Sequence, residues 1–149
     1  MDKRKGFNLR VYGIILNEEG EVLLSTESRK GLRFTKFPGG GLQWGEGLID
    51  CLQREMVEEL GTQMEVHELF YLTEHFQESA FSKDEQLISV YYSLSLPEHV
   101  NIPEGFESLD PEEVDNHFYW HKVHEIATEE LTFPIDREVI EKLKAAVES

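Results

Sequence analysis

Acidic side chains follow a run of glycines in the first half of the chain, at a spacing that suits cation binding. Glu58 and Glu59 follow Glu55 by three and four positions, so the three would share one side of a helix. Like charges at this spacing repel one another, and clustered carboxylates raise one another's pKa unless a cation lies among them. Magnesium is commonly held by one or two carboxylates with phosphate oxygens and water. The cluster therefore predicts a Mg²⁺ site suited to catalysis at phosphorus.

The glycines Gly39, Gly40 and Gly41 fit the same chemistry. Without a Cβ, their backbone can approach an ion or a phosphate closely. We therefore expect a backbone carbonyl there to be a further metal ligand, and Gly39 and Gly41 to lie against the substrate. Glu46 and Arg54 flank the glutamates, and we expect them to pair bidentately and to fix the loop against the helix.

A glutamate-rich helix taken alone is more often a solvated surface, so the argument depends on the whole pattern. A glycine is followed after five residues by Glu46, and after seven more by Arg-Glu-apolar-any-Glu-Glu-any-Gly. Residues 40–62 resemble the Nudix box of the Nudix hydrolases, and the matching residues are Gly40, Glu46, Arg54, Glu55, Met56, Glu58, Glu59 and Gly61.

The resemblance implies an activity and a role for each matching residue. It implies a Mg²⁺- or Mn²⁺-dependent pyrophosphohydrolase that cleaves the diphosphate bond of a nucleoside diphosphate linked to another moiety. That class includes nucleotide sugars, ADP-ribose-like compounds and nucleoside triphosphates. The resemblance also implies that Glu55, Glu59 and the Gly40 carbonyl bind metal, and that Glu58 is a ligand or the base. The residues we count as catalytic are Glu58, Glu59, Arg54 and Glu46.

Two positions depart from the family pattern. Thr62 stands where the last residue of the box is usually a bulky aliphatic one, and we expect only a small packing consequence. Gln43 stands where many members carry an acid, so we assign no ligand role there.

Two other functions compete with hydrolysis. A ligand-binding or regulatory module of the same family usually lacks box glutamates, whereas Glu46, Glu55, Glu58 and Glu59 are all present. An enzyme resembling isopentenyl-diphosphate isomerase uses a cysteine away from the box, whereas Cys51, the only cysteine, lies inside it. Hydrolysis is therefore the leading hypothesis, with the non-catalytic module as the alternative.

Residues outside the box are candidates for binding the substrate. Arg33 and Lys36, in a basic segment just before the glycines, are predicted to hold substrate phosphate, whereas a solvated loop explains Arg29 and Lys30 equally well. The candidates for stacking a nucleobase are Trp44, Phe37 and Phe76, with a core or anchoring role as the alternative.

The acidic segment 107–117 is the other place to look for chemistry. Glu112 and Glu113 are candidates for a base supplied by a loop, as the family resemblance suggests. A solvated acidic loop is the simpler explanation for either residue alone.

Composition limits the partners and the location. The 149 residues include 14 Lys or Arg against 30 Asp or Glu, a net charge of −16, which argues against a nonspecific nucleic-acid binder. Residues 1–36 nevertheless hold eight basic and five acidic side chains, so an anionic ligand would favour this part. No segment resembles a signal peptide or a membrane span. We expect a cytoplasmic protein that acts on a small nucleotide derivative, and a homodimer by analogy.

The elements that must position these residues alternate between strands and helices. The predicted strands are 7–16, 21–26, 65–76, 87–96 and 117–123, and the predicted helices are 47–60 and 135–147. The first two strands are expected to form a hairpin, and 27–41 a basic loop with a short extended piece around Phe34 to Phe37. In the first helix Ile49, Leu52, Met56 and Leu60 form the apolar face. This order predicts one α+β domain over 1–149, an α/β/α sandwich with a mixed β-sheet between helices, as in the Nudix fold.

Overall fold

The computed structural model describes residues 5–148. The strands are β1 Gly6–Ile15, β2 Glu21–Arg29, β3 Leu32–Lys36, β4 Gly39–Gly41, β5 Glu65–Leu72, β6 Glu85–Ser95, β7 Phe106–Glu107 and β8 Asn116–Lys122. The helices are α1 Leu48–Leu60 and α2 Pro134–Glu148, and two 3₁₀ turns, Val123–Glu125 and Thr128–Glu130, precede α2. No helix in this part of the chain is long and apolar enough to cross a membrane.

The strands form two sheets where one was expected. The first sheet has the order β4-β1-β6-β5, with β1 parallel to β6, and the second has the order β3-β2-β8-β7 and is antiparallel. One apolar cluster joins α1 to β1, β2, β6 and β8, and another joins α2 to β1, β2, β5 and β6. The α+β sandwich with a mixed sheet is thus confirmed, and a second sheet is added to it.

The expected hairpin of the first two strands is wrong. β1 and β2 belong to different sheets, and the one isolated bridge at this turn joins Leu16, just after β1, to Val22. The turn signal itself is real, since the Asn17 side chain accepts the backbone N–H groups of Glu19 and Glu21. Beyond the turn, β2 pairs with β3 and β8, because packing across the fold selects the partner of a strand.

The segment expected to be a basic loop with one short extended piece forms strands along most of its length. β2 extends to Arg29 and returns as β3 through Lys30 and Gly31, whose φ angles are 51° and 78°, as a tight two-residue hairpin turn requires. β4 then carries the three glycines antiparallel to β1, with Val11 opposite Gly40. The basic residues of β3 and the glycines of β4 are therefore held by sheet hydrogen bonds.

Helix α1 follows the predicted amphipathic pattern with one exception. Leu52, Met56 and Leu60 are buried, and Gly61 ends the helix in the left-handed region, where its N–H donates to the Val57 carbonyl. Ile49 is exposed, contrary to our prediction, because it lies in the first turn and Leu48 packs against the core there.

Candidate active site

Arg54 is the centre of a charged network on α1. Its Nε donates to Glu46 Oε2 at 3.0 Å and its Nη2 donates to Glu46 Oε1 at 2.8 Å, which is the two-point pairing that the sequence predicts. Nη2 also donates to the Gly41 carbonyl at 3.0 Å. The hydrogen bonds from Arg54 lower the pKa of Glu46 to about 2. The loop that carries Glu46 is thus fastened to both α1 and β4.

The same guanidinium contacts two more carboxylates. Its Nη1 lies 3.0 Å from Glu55 Oε1 and 3.2 Å from Glu58 Oε2, and so it offsets like-charge repulsion along the helix. Burial raises the pKa of Glu55, although Arg54 opposes that effect. Glu58 is the most accessible of the three helix glutamates, with 43 % of its side chain exposed.

Glu59 is buried, whereas the sequence led us to expect three exposed carboxylates. It is 1 % exposed, and its Oε2 has no hydrogen-bond partner within the described chain. Burial raises the pKa of Glu59 well above its usual range, and Lys36 opposes that rise. The acidic segment covers it, since the Leu109 N–H donates to the Glu59 carbonyl at 2.9 Å. A helical wheel does not reveal such a distant segment.

The two loop candidates for a base are held differently. Glu113 Oε1 accepts hydrogen bonds from Ser108 Oγ at 2.6 Å and from Asn116 Nδ2 at 3.1 Å, and its carboxyl interacts with that of Glu59. Glu112 is exposed, and its backbone N–H donates to Asp110. Glu113 is therefore the better oriented of the two.

Two cavities adjoin this network. The acidic cleft has a volume of about 440 Å³, and its lining includes Gly39, Gly41, Glu55, Asp110, Glu112 and Glu113. The aromatic pocket has a volume of about 300 Å³, and its lining includes Tyr12, Phe34, Phe81, Tyr91 and Phe133. Four charged side chains line both cavities, namely Arg10, Glu27, Arg29 and Lys36.

Lys36 and Arg33 were both predicted to bind phosphate, and the structure brings only Lys36 to the cavities. Successive side chains of a strand point to opposite faces, so Arg33 is exposed and lines neither cavity. Lys36 Nζ lies 3.9 Å from Glu27 Oε2. Burial disfavours its charge, but the nearby acidic groups, Glu59 first among them, outweigh burial and raise the pKa of Lys36.

Arg10 is a cation that sequence reasoning missed, whereas Arg29 was left open between phosphate binding and a solvated loop. The Arg29 guanidinium lies 5.0 Å from the centre of the Phe81 ring and its Nε is 3.4 Å from Glu27 Oε1. Arg10 Nε donates to Tyr12 Oη at 3.0 Å. Arg10 lies in β1 and Arg29 in β2. Side chains two positions apart in a strand share a face, so the spacing of Arg10 from Tyr12 and of Arg29 from Glu27 was the available signal.

The predicted stacking residues do not line the aromatic pocket. Phe37 is in the core, whereas Trp44 and Phe76 are exposed. The pocket instead contains Phe34 and Phe133, whose parallel rings are 5.9 Å apart, and Phe81, which lies edge-on to both. These three rings come from distant segments, so no local pattern could have identified them.

Cys51 is buried beside the charged network. Its Sγ donates to the Gly41 carbonyl at 3.5 Å, and burial, together with the nearby Glu46 carboxylate, raises its pKa to about 12. A thiol that stays protonated is a poor nucleophile, which favours a structural role for Cys51.

The box residues fit a divalent cation on two observations. Glu59 Oε2 is a buried oxygen without a hydrogen-bond partner in the described chain, and a Cβ at Gly40 would overlap the Glu55 carboxylate. Such oxygen donors suit Mg²⁺ or Mn²⁺. Within residues 5–148 no three Asp, Glu, His or Cys side chains already converge as a ligand set, and Glu55 and Glu58 face Arg54 instead.

A curated relative shares part of the sequence. A 59-residue stretch is 37 % identical to the mouse (Mus musculus) protein named 8-oxo-dGDP phosphatase NUDT18, covering 39 % of this chain and 18 % of that protein. The matching part therefore spans less than a fifth of the relative's length.

Solved structures share the fold over most of the chain. A NUDIX hydrolase from Nitrosomonas europaea superposes with a TM-score of 0.71 at 22 % identity, covering 93 % of this chain and 89 % of that one. The MutT protein from Methanosarcina mazei Go1 superposes with a TM-score of 0.69 at 22 % identity, covering 97 % and 98 %. A family model, the NUDIX domain, matches residues 6–143. The chain therefore belongs to the Nudix family of hydrolases, which act on phosphorus-containing anhydrides.

Proposed function

We propose that this protein cleaves the diphosphate bond of a nucleotide derivative whose base lies in the aromatic pocket and whose phosphates lie in the acidic cleft. The observation that carries the proposal is that Arg10, Arg29 and Lys36 line both cavities. Aromatic rings stack on bases, and guanidinium and ammonium groups bind phosphate. A ligand with a flat ring at one end and phosphates at the other matches this order of groups.

The box residues divide into ligands and positioning residues. Glu55, Glu58, Glu59 and the Gly40 carbonyl would hold Mg²⁺ or Mn²⁺, which supplies charge neutralisation at phosphate oxygens and a more acidic water. Arg54 and Glu46 are positioning residues, because their pairing fixes the loop and β4 against α1.

Glu113 is our candidate for the base that accepts the proton of the attacking water. It lines the acidic cleft, and two hydrogen bonds hold its carboxylate in place, as a general base requires. Glu58 is the alternative base, because it is the most accessible helix glutamate.

The substrate belongs to the class of nucleotides with a diphosphate bond. The name of the mouse relative, 8-oxo-dGDP phosphatase, supports a nucleoside diphosphate among the candidates, beside nucleoside triphosphates, nucleotide sugars and ADP-ribose-like compounds. Four further statements stay predictions: that the protein is cytoplasmic, that its partner is a small molecule and not a nucleic acid, that it forms a homodimer, and that residues 1–149 form a single domain.

A panel of these nucleotides with Mg²⁺ or Mn²⁺ tests the proposal through release of phosphate, pyrophosphate or nucleoside monophosphate. Glu58→Gln should lower kcat by at least about 100-fold, because it removes a charge from the metal-binding cluster. The matched control is Glu129→Gln, which changes an exposed glutamate that lines neither cavity. No turnover across the panel, or full activity in Glu58→Gln, would contradict the proposal.

A further inference from the structure

The residues at the two ends of the loop 109–115 hold the candidate base, Glu113. Ser108 directly follows β7, and Asn116 is the first residue of β8. The Ser108 backbone N–H donates to the Asn116 carbonyl at 2.8 Å, which closes the loop. The Ser108 hydroxyl and the Asn116 side-chain amide both donate to Glu113 Oε1, at 2.6 Å and 3.1 Å. The proposed hydrolysis gives Glu113 a role and leaves these two donors without one.

Both donors reach the same oxygen of Glu113, which leaves the carboxylate able to accept a proton. An ionised carboxylate has about four lone-pair positions, so the hydrogen bonds at Oε1 do not use all of them. Glu113 lines the acidic cleft, whereas Ser108 and Asn116 do not. A glutamate side chain has several rotatable bonds, and holding it in one orientation favours the geometry in which it meets the attacking water. Ser108 and Asn116 can therefore act on the reaction through Glu113, without touching the substrate.

The amide of Asn116 is oriented in a way that serves Glu113 and leaves its own oxygen unsatisfied. Asn116 is 1 % exposed, and its Oδ1 is buried without a hydrogen-bond partner in the described chain. Burying an acceptor in this way is unfavourable. Turning the amide over would place Oδ1 against Glu113 Oε1, where two acceptors would meet in place of a donor and an acceptor. The hydrogen bond to Glu113 therefore accounts for the orientation of this amide.

The loop is also fixed against the helix that carries the box glutamates. The Leu109 N–H donates to the Glu59 carbonyl at 2.9 Å, and a Cβ at Gly61 would lie only 2.9 Å from Leu109 Cδ1. On the other side, Glu107 in β7 pairs with His117 in β8. These contacts hold the ends of the loop at a set position relative to α1, so the two donors set where the Glu113 carboxylate lies in the cleft.

We propose that Ser108 and Asn116 are positioning residues that hold Glu113 where it accepts the proton of the water as the water oxygen attacks phosphorus. This inference rests on the proposed function, because it takes Glu113 as the base. Loss of either donor should lower kcat and leave KM nearly unchanged, since neither side chain lines the acidic cleft. The expected loss in kcat is roughly 10- to 100-fold, as for a reactive group displaced by up to about an ångström.

A double-mutant cycle separates this role from general support of the fold. Steady-state kinetics on the best nucleotide of the panel compare the wild type, Ser108→Ala, Glu113→Gln and the double variant. Ser108→Ala should lower kcat in the wild-type background and have little further effect in the Glu113→Gln background, because residues that act as a unit are not additive. Equal losses in the two backgrounds would overturn the proposal.

Two further serine variants complete the comparison. Ser108→Thr keeps the hydroxyl donor and should retain most of the kcat that Ser108→Ala loses. The matched control is Ser95→Ala, because Ser95 Oγ also donates to a glutamate, Glu65 at 3.3 Å, but lines neither cavity. Ser95→Ala should leave kcat unchanged. A loss of kcat in Ser108→Thr as large as that in Ser108→Ala would contradict a role for the hydroxyl.

Asn116→Asp tests the second donor, because it keeps the size of the side chain and replaces the amide donor by an acceptor. It should lower kcat at least as much as Ser108→Ala, with thermal unfolding to confirm that the variant is folded. If it does not fold, the Ser108 cycle decides, since Ser108 is only half-buried. The failures of the two proposals are distinguishable. No turnover across the panel would overturn the proposed function together with this inference, whereas turnover that Glu113→Gln or Ser108→Ala leaves unchanged would overturn the inference alone.

Discussion

Lys36 and Arg33 carry the same charge on the same short strand, yet they have different surroundings. Lys36 lines both cavities and lies among acidic side chains, whereas Arg33 is exposed on the opposite face. Lys36→Ala should raise KM for a nucleotide substrate about 10-fold, because one charged phosphate contact is lost. Arg33→Ala is the control and should leave KM unchanged. Steady-state kinetics measure both, with thermal unfolding to confirm that the variants are folded; equal KM values would contradict the assignment.

At the residue scale, the spacing of the residues predicts which side chains lie together better than it predicts how buried each one is. The box pattern indicated which glutamates lie together and that Arg54 pairs with Glu46, because both follow from helical periodicity and charge. It did not indicate that Glu59 is buried, since the covering segment around Leu109 is distant in sequence. It also does not separate Lys36 from Arg33, because that requires the whole strand β3, of which the sequence predicts only an extended piece around Phe34 to Phe37.

The element that calls for a direct test is β4, whose central residue, Gly40, faces α1. A Cβ at Gly40 would overlap the Glu55 carboxylate, whereas a Cβ at Gly41 would lie 3.3 Å from the end of the flexible Arg10 side chain. Gly40→Ala should therefore lower kcat/KM by about 100-fold, the cost of displacing a reactive group by about an ångström. Gly41→Ala should lower it much less. The comparison requires kinetics on both folded variants, and similar losses would contradict a specific role for Gly40.

At the element scale, the helices were predictable and the strand pairings were not. Leu52, Met56 and Leu60 recur with the helical period, and Gly61 supplies the left-handed end of α1. The strands β2 and β3 are joined by a turn at Lys30 and Gly31. Because Lys30 is charged and lies in a basic segment, the sequence there is also typical of a solvated loop. The partners of β1 were hidden as well, because β6, its parallel neighbour, lies far along the chain.

The aromatic pocket is a property of the whole molecule, because distant segments meet there. Phe81 is 62 % exposed and lies edge-on to Phe34 and Phe133. Phe81→Ala should raise KM roughly 5- to 150-fold, the range for one base–aromatic stack, while stability changes little at such an exposed position. The control is Phe76→Ala, since Phe76 is 70 % exposed and lines neither cavity. A Phe81 variant with unchanged KM would show that the base does not lie there.

The buried thiol has a practical consequence for labelling experiments on this protein. Cys51 is the only cysteine of the 149 residues, and burial holds its pKa near 12, so maleimide reagents, which need a thiolate, should react with it very slowly. A cysteine introduced at an exposed position such as Trp44 or Phe76 can therefore carry a fluorescent or spin label without first replacing Cys51. The wild-type protein, treated with the same reagent, would then be the control for labelling at Cys51.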